Sequence, residues 1–174
     1  MCFNFLAILP SMALLVLAAC TAPRTILDQP GAEGGPEPVV RRSVVADYDQ
    51  VWDDLTMTLN SRGLVISSVS HVGEMLARTG KALERTKPIF ARAGIMEFCS
   101  AVISRDMMEE NPHYIAFCPY QIMVYSLPDE PERIYLAYRR LIWGNGENSR
   151  RLQRVEKLLA SLIAETITLQ EEYQ

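Results

Sequence analysis

The chain has 174 residues, of which 49% are apolar and 22% charged, a balance that belongs to a folded globular protein and excludes an intrinsically disordered one. Its formal charge of -4 excludes the concentrated basic surface that nucleic-acid binding requires, so no nucleic-acid partner is expected.

Residues 5–19 are apolar except for Pro10 and Ser11. Such a run is too short to span a bilayer comfortably and has the length of a signal-peptide h-region. It ends Leu17-Ala18-Ala19-Cys20, which resembles the lipobox of bacterial lipoproteins. The resemblance implies removal of residues 1–19 and acylation of Cys20. Two or three acyl chains, at about 0.8 kcal/mol per buried methylene, hold a protein on a bilayer far more firmly than one. Residues 1–4 carry no Lys or Arg, a departure from the positively charged start of such signals. Thr21, not Asp, follows the cysteine, which resembles the pattern sent on to the outer membrane. The expected address is an outer-membrane lipid anchor facing the periplasm.

Residues 20–38 form the lipidated Cys and a Pro/Gly-rich tether with Pro23, Pro30, Gly31, Gly34, Gly35, Pro36 and Pro38. Fully extended, it reaches on the order of 50 Å from the membrane. The folded domain is expected over 39–174. Residues 39–45 read as a strand, and Asp47 or Asp49 then caps a helix with Val51, Trp52, Leu55 and Leu59 at helical spacing, stopped by Arg62-Gly63. Residues 64–69 read as a second strand and 71–83 as a short helix interrupted near Gly80. An extended stretch runs from Pro88 as far as 96–98. Residues 99–110 look helical, with Val102, Ile103 and Met107 on one stripe, and 114–117 look extended. Strands at 120–127 and 133–140 are joined by Pro128-Asp129-Glu130-Pro131. Gly144-Asn145-Gly146 reads as a turn before a closing amphipathic helix over 149–172, whose face carries Leu152, Val155, Leu159, Leu162, Ile163 and Thr166.

This order predicts an α+β fold with helices on one face of a mainly antiparallel sheet. Ile134, Leu136 and Tyr138 share one face of their strand, and Tyr135 and Ala137 the other; Ile122 and Val124 oppose Met123 and Tyr125. Both faces are apolar, whereas a sheet with one wet face alternates apolar and polar. The second face is therefore expected to meet a partner, most simply another copy of the chain, or else to lie under the terminal helix.

Residues 47–141 are similar to the bacterial and archaeal DUF302 family, a domain of unknown function. The similarity rests on the helix ending Leu59-Asn60-Ser61-Arg62-Gly63, the Val65-Ile66 strand, His71, and the helix after Phe98. Cys118-Pro119, Val124-Tyr125 and Tyr138 complete the pattern. The resemblance implies a TATA-binding-protein-like β-α-β-sheet-α sandwich, often paired as a dimer. It implies no established activity and brings no catalytic residues or cofactor. On this reading the domain binds or builds rather than catalyses. His71, Tyr125, Tyr138 and Arg139 are candidates to contact a small-molecule ligand of unidentified kind.

Export accounts for Cys2 and Cys20 and leaves Cys99 and Cys118. A helix of about eleven residues from Cys99 rises roughly 16 Å, and a returning strand of about five residues covers the same distance back. The two thiols are thus expected to be neighbours, and three uses stay open. A structural disulfide closing about twenty residues would add roughly 3 kcal/mol of stability. A redox or sulfur-handling pair is the second, with the Cys99 thiolate favoured at a helix N-terminus. Copper or zinc binding is the third, drawing on His71, His113 and Met96, Met107 and Met123. Against it, neither Cys-x-x-Cys nor His-x-x-x-His spacing occurs. No Gly-rich phosphate loop and no Gly-x-Ser-x-Gly occurs either.

Overall fold

The computed structural model describes residues 37–143 and 149–172. The signal segment, Cys20, the tether through residue 36 and the turn at 144–146 lie outside the described residues. Strand β1 (Val39–Val45) leads into helix α1 (Tyr48–Ser61), then β2 (Val65–Ser70) and α2 (Val72–Ala82). Strand β3 (Arg92–Cys99), α3 (Ala101–Glu110) and a 3-10 helix (Pro112–Phe117) follow. Strands β4 (Tyr120–Leu127) and β5 (Glu130–Arg139) form a hairpin, and α4 (Arg150–Glu172) closes the chain. The five strands lie in the order β1-β5-β4-β3-β2, and every pair is antiparallel. The fold is α+β as expected.

Asp47 is the residue that caps α1, its carboxylate accepting from the Gln50 N–H at 3.0 Å. Past the last helical residue, Ser61, and the Arg62 cap, the chain turns at Gly63, whose φ of +66° is left-handed backbone that a side chain would strain. Val51, Leu55 and Leu59 of α1 are fully excluded from water and meet Leu152, Val155, Leu159, Leu162 and Ile163 of α4 in one cluster. The sheet contributes Met96, Phe98, Ile122, Val124, Ile134 and Leu136 to that cluster, alternate residues on three neighbouring strands. Helix α4 therefore packs on the α1 side of the sheet, and the alternative in which it crosses the second face is corrected.

Four local expectations are also corrected. Helix α2 runs unbroken through Gly80 to Ala82. Helix α3 begins at Ala101 with Ser100 as its cap, so Cys99 is the last residue of β3. Val102 is 70% exposed and leaves the α3 stripe to Ile103 and Met107. Residues 114–117 are helical rather than extended: the Asn111 side chain accepts from the His113 N–H at 3.0 Å and Pro112 opens the turn. Tyr114 is thereby buried beside Phe117 and Trp143.

Candidate functional site

Side chains that alternate with the core residues form the opposite, open face of the sheet. Ile95 of β3, Met123 of β4 and Ala137 of β5 stand in register across its middle. Ala93, Tyr125 and Tyr135 make the next row. Tyr125 stacks on Tyr135 with ring centroids 5.2 Å apart, and Phe90 meets Tyr125 edge-on at 5.6 Å. Along the other side runs a polar row. Gln121 donates to Glu97 at 2.7 Å, and Arg139 donates to the Gln121 carbonyl oxygen at 2.8 Å. Among the described residues no carboxylate forms an ion pair with Arg139.

Phe90, in the loop before β3, and Val72, first residue of α2, rise above one end of this face and make it concave. The groove holds about 430 Å³ over Ile95, Met123, Tyr125 and Ala137, with Arg139 at its rim. Helix α2 lies close to β3 here because residue 73 is glycine: a Cβ at Gly73 would come within 2.9 Å of the Ala93 nitrogen. A second hollow of about 490 Å³ lies between α2 and the loop that follows it, lined by Leu76, Leu83 and Ile89 and sharing Phe90 with the groove. Its walls come from one helix and its following loop, whereas the groove floor is fixed by three hydrogen-bonded strands.

The four ligand-contacting candidates do not converge. Tyr125 and Arg139 line the groove. Tyr138 is on the other face, 4% exposed within the core, and burial raises its pKa above the ordinary value. His71 sits at the start of α2, where its side chain makes no capping bond. It lines a separate hollow of about 260 Å³ beside Tyr48, Asp49, Trp52 and Arg92. In that hollow Arg92 pairs with Asp49 at 2.6 Å and lies over the Tyr48 ring at 4.4 Å. Burial of Tyr48 outweighs the Arg92 charge and pushes its pKa up to about 12.

Cys99 and Cys118 do come together, with sulfurs 3.8 Å apart and both thiols free and half-buried. The cause is sheet register rather than a helix and a returning strand. Phe98 pairs with Tyr120, so the end of β3 lies against the entry to β4, across a cis Cys118-Pro119 bond. The Cys118 sulfur also contacts Ser104 Oγ at 3.4 Å, and Ser104 meets the Tyr120 hydroxyl at 3.0 Å. The expected helix-terminus activation of Cys99 is corrected: burial, then the Cys118 thiol, raise its pKa.

The metal candidates are dispersed. Met96 and Met107 are locked in the core, and His113 stacks on Trp143 with centroids 6.4 Å apart. Among the described residues no group of three or more His, Cys, Asp or Glu is placed to hold an ion.

Residues 40–166 match the family described as Domain of unknown function DUF302. The chain belongs to the DUF302 family. Its fold is similar to a solved DUF302 structure, described as an uncharacterized conserved protein from Bacillus stearothermophilus. The two share 17% identity at a TM-score of 0.62, over 75% of this chain and 99% of that one. At that identity the likeness speaks to fold alone. Nothing among curated proteins matches the chain. The open-face groove and the paired thiols of this DUF302 domain are features that alternation and register create in its own sequence.

Proposed function

We propose that this chain is a lipid-anchored, periplasm-facing binding protein whose DUF302 domain takes up a small molecule with an apolar body and an anionic end. The observation that carries this reading is the open-face groove. Its volume of about 430 Å³ falls within the usual range for small-molecule sites, its floor is apolar, and one cation, Arg139, stands at the rim. An acyl or aromatic body over Ile95, Met123 and Tyr125 would leave its carboxylate or phosphate at that guanidinium. The lipid anchor rests on the sequence Leu17-Ala18-Ala19-Cys20 and the tether behind it. Among the described residues no helix is long and apolar enough to cross a membrane.

The compact unit beginning at Gly34 can be titrated with a dansylated fatty acid in detergent-free buffer. Saturable uptake is expected, weakened by Arg139→Ala and abolished by Met123→Glu. A folded monomer that takes up none of the probe overturns the small-molecule reading. A second copy of the chain is the other occupant considered, favoured by Val39 on edge strand β1, which is exposed and continuous with the groove. A dimer that dissociates with Met123→Glu and excludes the probe would establish that reading instead. Incorporation of labelled palmitate into the full chain, lost with Cys20→Ala, tests the anchor.

A further inference from the structure

The pair at the end of β3 is independent of the groove and does chemistry the binding reading does not use. We propose that Cys99 and Cys118 are a reversible redox-modification site, oxidised to an intramolecular disulfide by thiol–disulfide exchange with a small-molecule or protein disulfide. Three features carry it. The sulfurs are already in contact at 3.8 Å: Cys99 is held in the ladder opposite Val65, and Cys118 caps the 3-10 helix two residues before Tyr120, which pairs with Phe98. Both thiols are half-buried, so a small disulfide can reach them while the surrounding core stays dry. Between them the chain makes one excursion, α3 and the 3-10 helix, that leaves the sheet after Cys99 and rejoins it at Tyr120, just past Cys118.

The exchange balances within named groups. One cysteine thiolate attacks a sulfur of the oxidant R–S–S–R′, forming a mixed disulfide and releasing R′–S⁻. The second cysteine, as its thiolate, attacks the protein sulfur of that mixed disulfide, forming the Cys99–Cys118 bond and releasing R–S⁻. Two protein thiols are oxidised, one external disulfide is reduced, and the two protons pass to the leaving thiolates. Burial of Cys99 raises its pKa, so its thiolate fraction, and with it the rate of attack, grows as pH rises. The bond closes the excursion into a ring, so the oxidised chain loses unfolded-state freedom across residues 100–117.

The full chain is equilibrated in glutathione buffers of graded ratio, quenched by alkylation and digested with trypsin. Cys99 then lies in the peptide 93–105 and Cys118 in 106–133, with Cys2 and Cys20 in a third segment. Expected are a 93–105/106–133 cross-link that appears and disappears within the glutathione range, and a melting temperature higher by about 6–12 °C in the oxidised form. Amides of α3 and the 3-10 helix should exchange more slowly once the bond is made. Two alkylated free thiols in the most oxidising buffer overturn the proposal. So does a cross-link that survives the most reducing buffer, which marks an inert staple, and so does glutathione trapped on one cysteine without resolution by the other.

Discussion

Tyr125 and Tyr135 face each other directly across the β4–β5 ladder, on the side of the sheet away from α1 and α4, with their rings within 16° of parallel. Arg41 of the edge strand lies over the same Tyr135 ring at 5.6 Å, and the Tyr135 hydroxyl donates to Glu130, which raises its pKa. These rings are held by one another rather than by the core. Tyr125→Ala is therefore expected to cost only about 1 kcal/mol of stability, while weakening uptake of an apolar fluorescent probe several-fold. Urea unfolding and probe titration on the same preparation separate the two effects. A loss of stability as large as that of a core truncation would place Tyr125 in the core's energetics instead.

Asp54 is 4% exposed between α1 and α4, and its partners are two neutral amides: Gln170 near the end of α4 and Gln50 one turn earlier at 3.3 Å. Removing Gln170 leaves a buried carboxylate short of a donor. Gln170→Leu should destabilise the fold by about 1–3 kcal/mol, and combining it with Asp54→Leu should recover part of that loss. A double variant as unstable as the sum of its parts would show that the two side chains are not coupled.

The Ser126 hydroxyl is fully buried on β4 and finds no hydrogen-bond partner among the described residues. Most core substitutions destabilise; this one should not. Ser126→Ala removes the orphaned hydroxyl with little change of volume and is expected to be neutral or stabilising by roughly 1 kcal/mol. Denaturant midpoints decide it, and a clear drop would mean the hydroxyl is satisfied in solution.

Alkaline sensitivity follows from two phenols. Burial pushes Tyr48 and Tyr120 up from 10.0 to about 12. Below pH 10 both are protonated in the folded and unfolded chain, and their contribution to stability is fully present. Between pH 10 and 12 the unfolded chain gives up its phenolic protons first, so stability falls as pH rises and the contribution is gone above the folded value. Melting temperatures measured from pH 9 to 12 should decline, and Tyr48→Phe with Tyr120→Phe should flatten the slope. An unchanged slope in that double variant would assign the alkaline loss to other groups.

Where burial has a strict period, the sequence is readable. The alternation of Ile122 and Val124 against Met123 and Tyr125 assigns both sheet faces, because a strand has no third direction in which to point a side chain. The 149–172 face of α4 is legible for the same reason at helical period. Short segments are not. The run from Tyr114 to Phe117 is four apolar or small residues that suit a strand and a 3-10 turn equally; the Asn111 cap and Pro112 before it, with Tyr114 docked beside Trp143, decide between them. Tyr138 and Arg139 are adjacent in sequence yet lie on opposite faces, so grouping them as one ligand site ignores the same alternation. The groove itself leaves no local signal: Gly73 reads as an ordinary helix residue until its Cα is found against Ala93.

Composition and periodicity alone determined that this chain folds as α+β, which faces of α1, α4, β4 and β5 enter its core, and that its second sheet face is too apolar for a wet surface. Those properties are local, set by the repeat of a helix or strand and the transfer free energy of each side chain. Tertiary structure alone decided that α4 packs beside α1 and leaves that face open, that Phe90 and Val72 make it concave, and that β3–β4 register places two sulfurs in contact. Each of these depends on how elements distant in sequence are docked, and docking is a sum over many weak contacts that no short stretch of sequence contains.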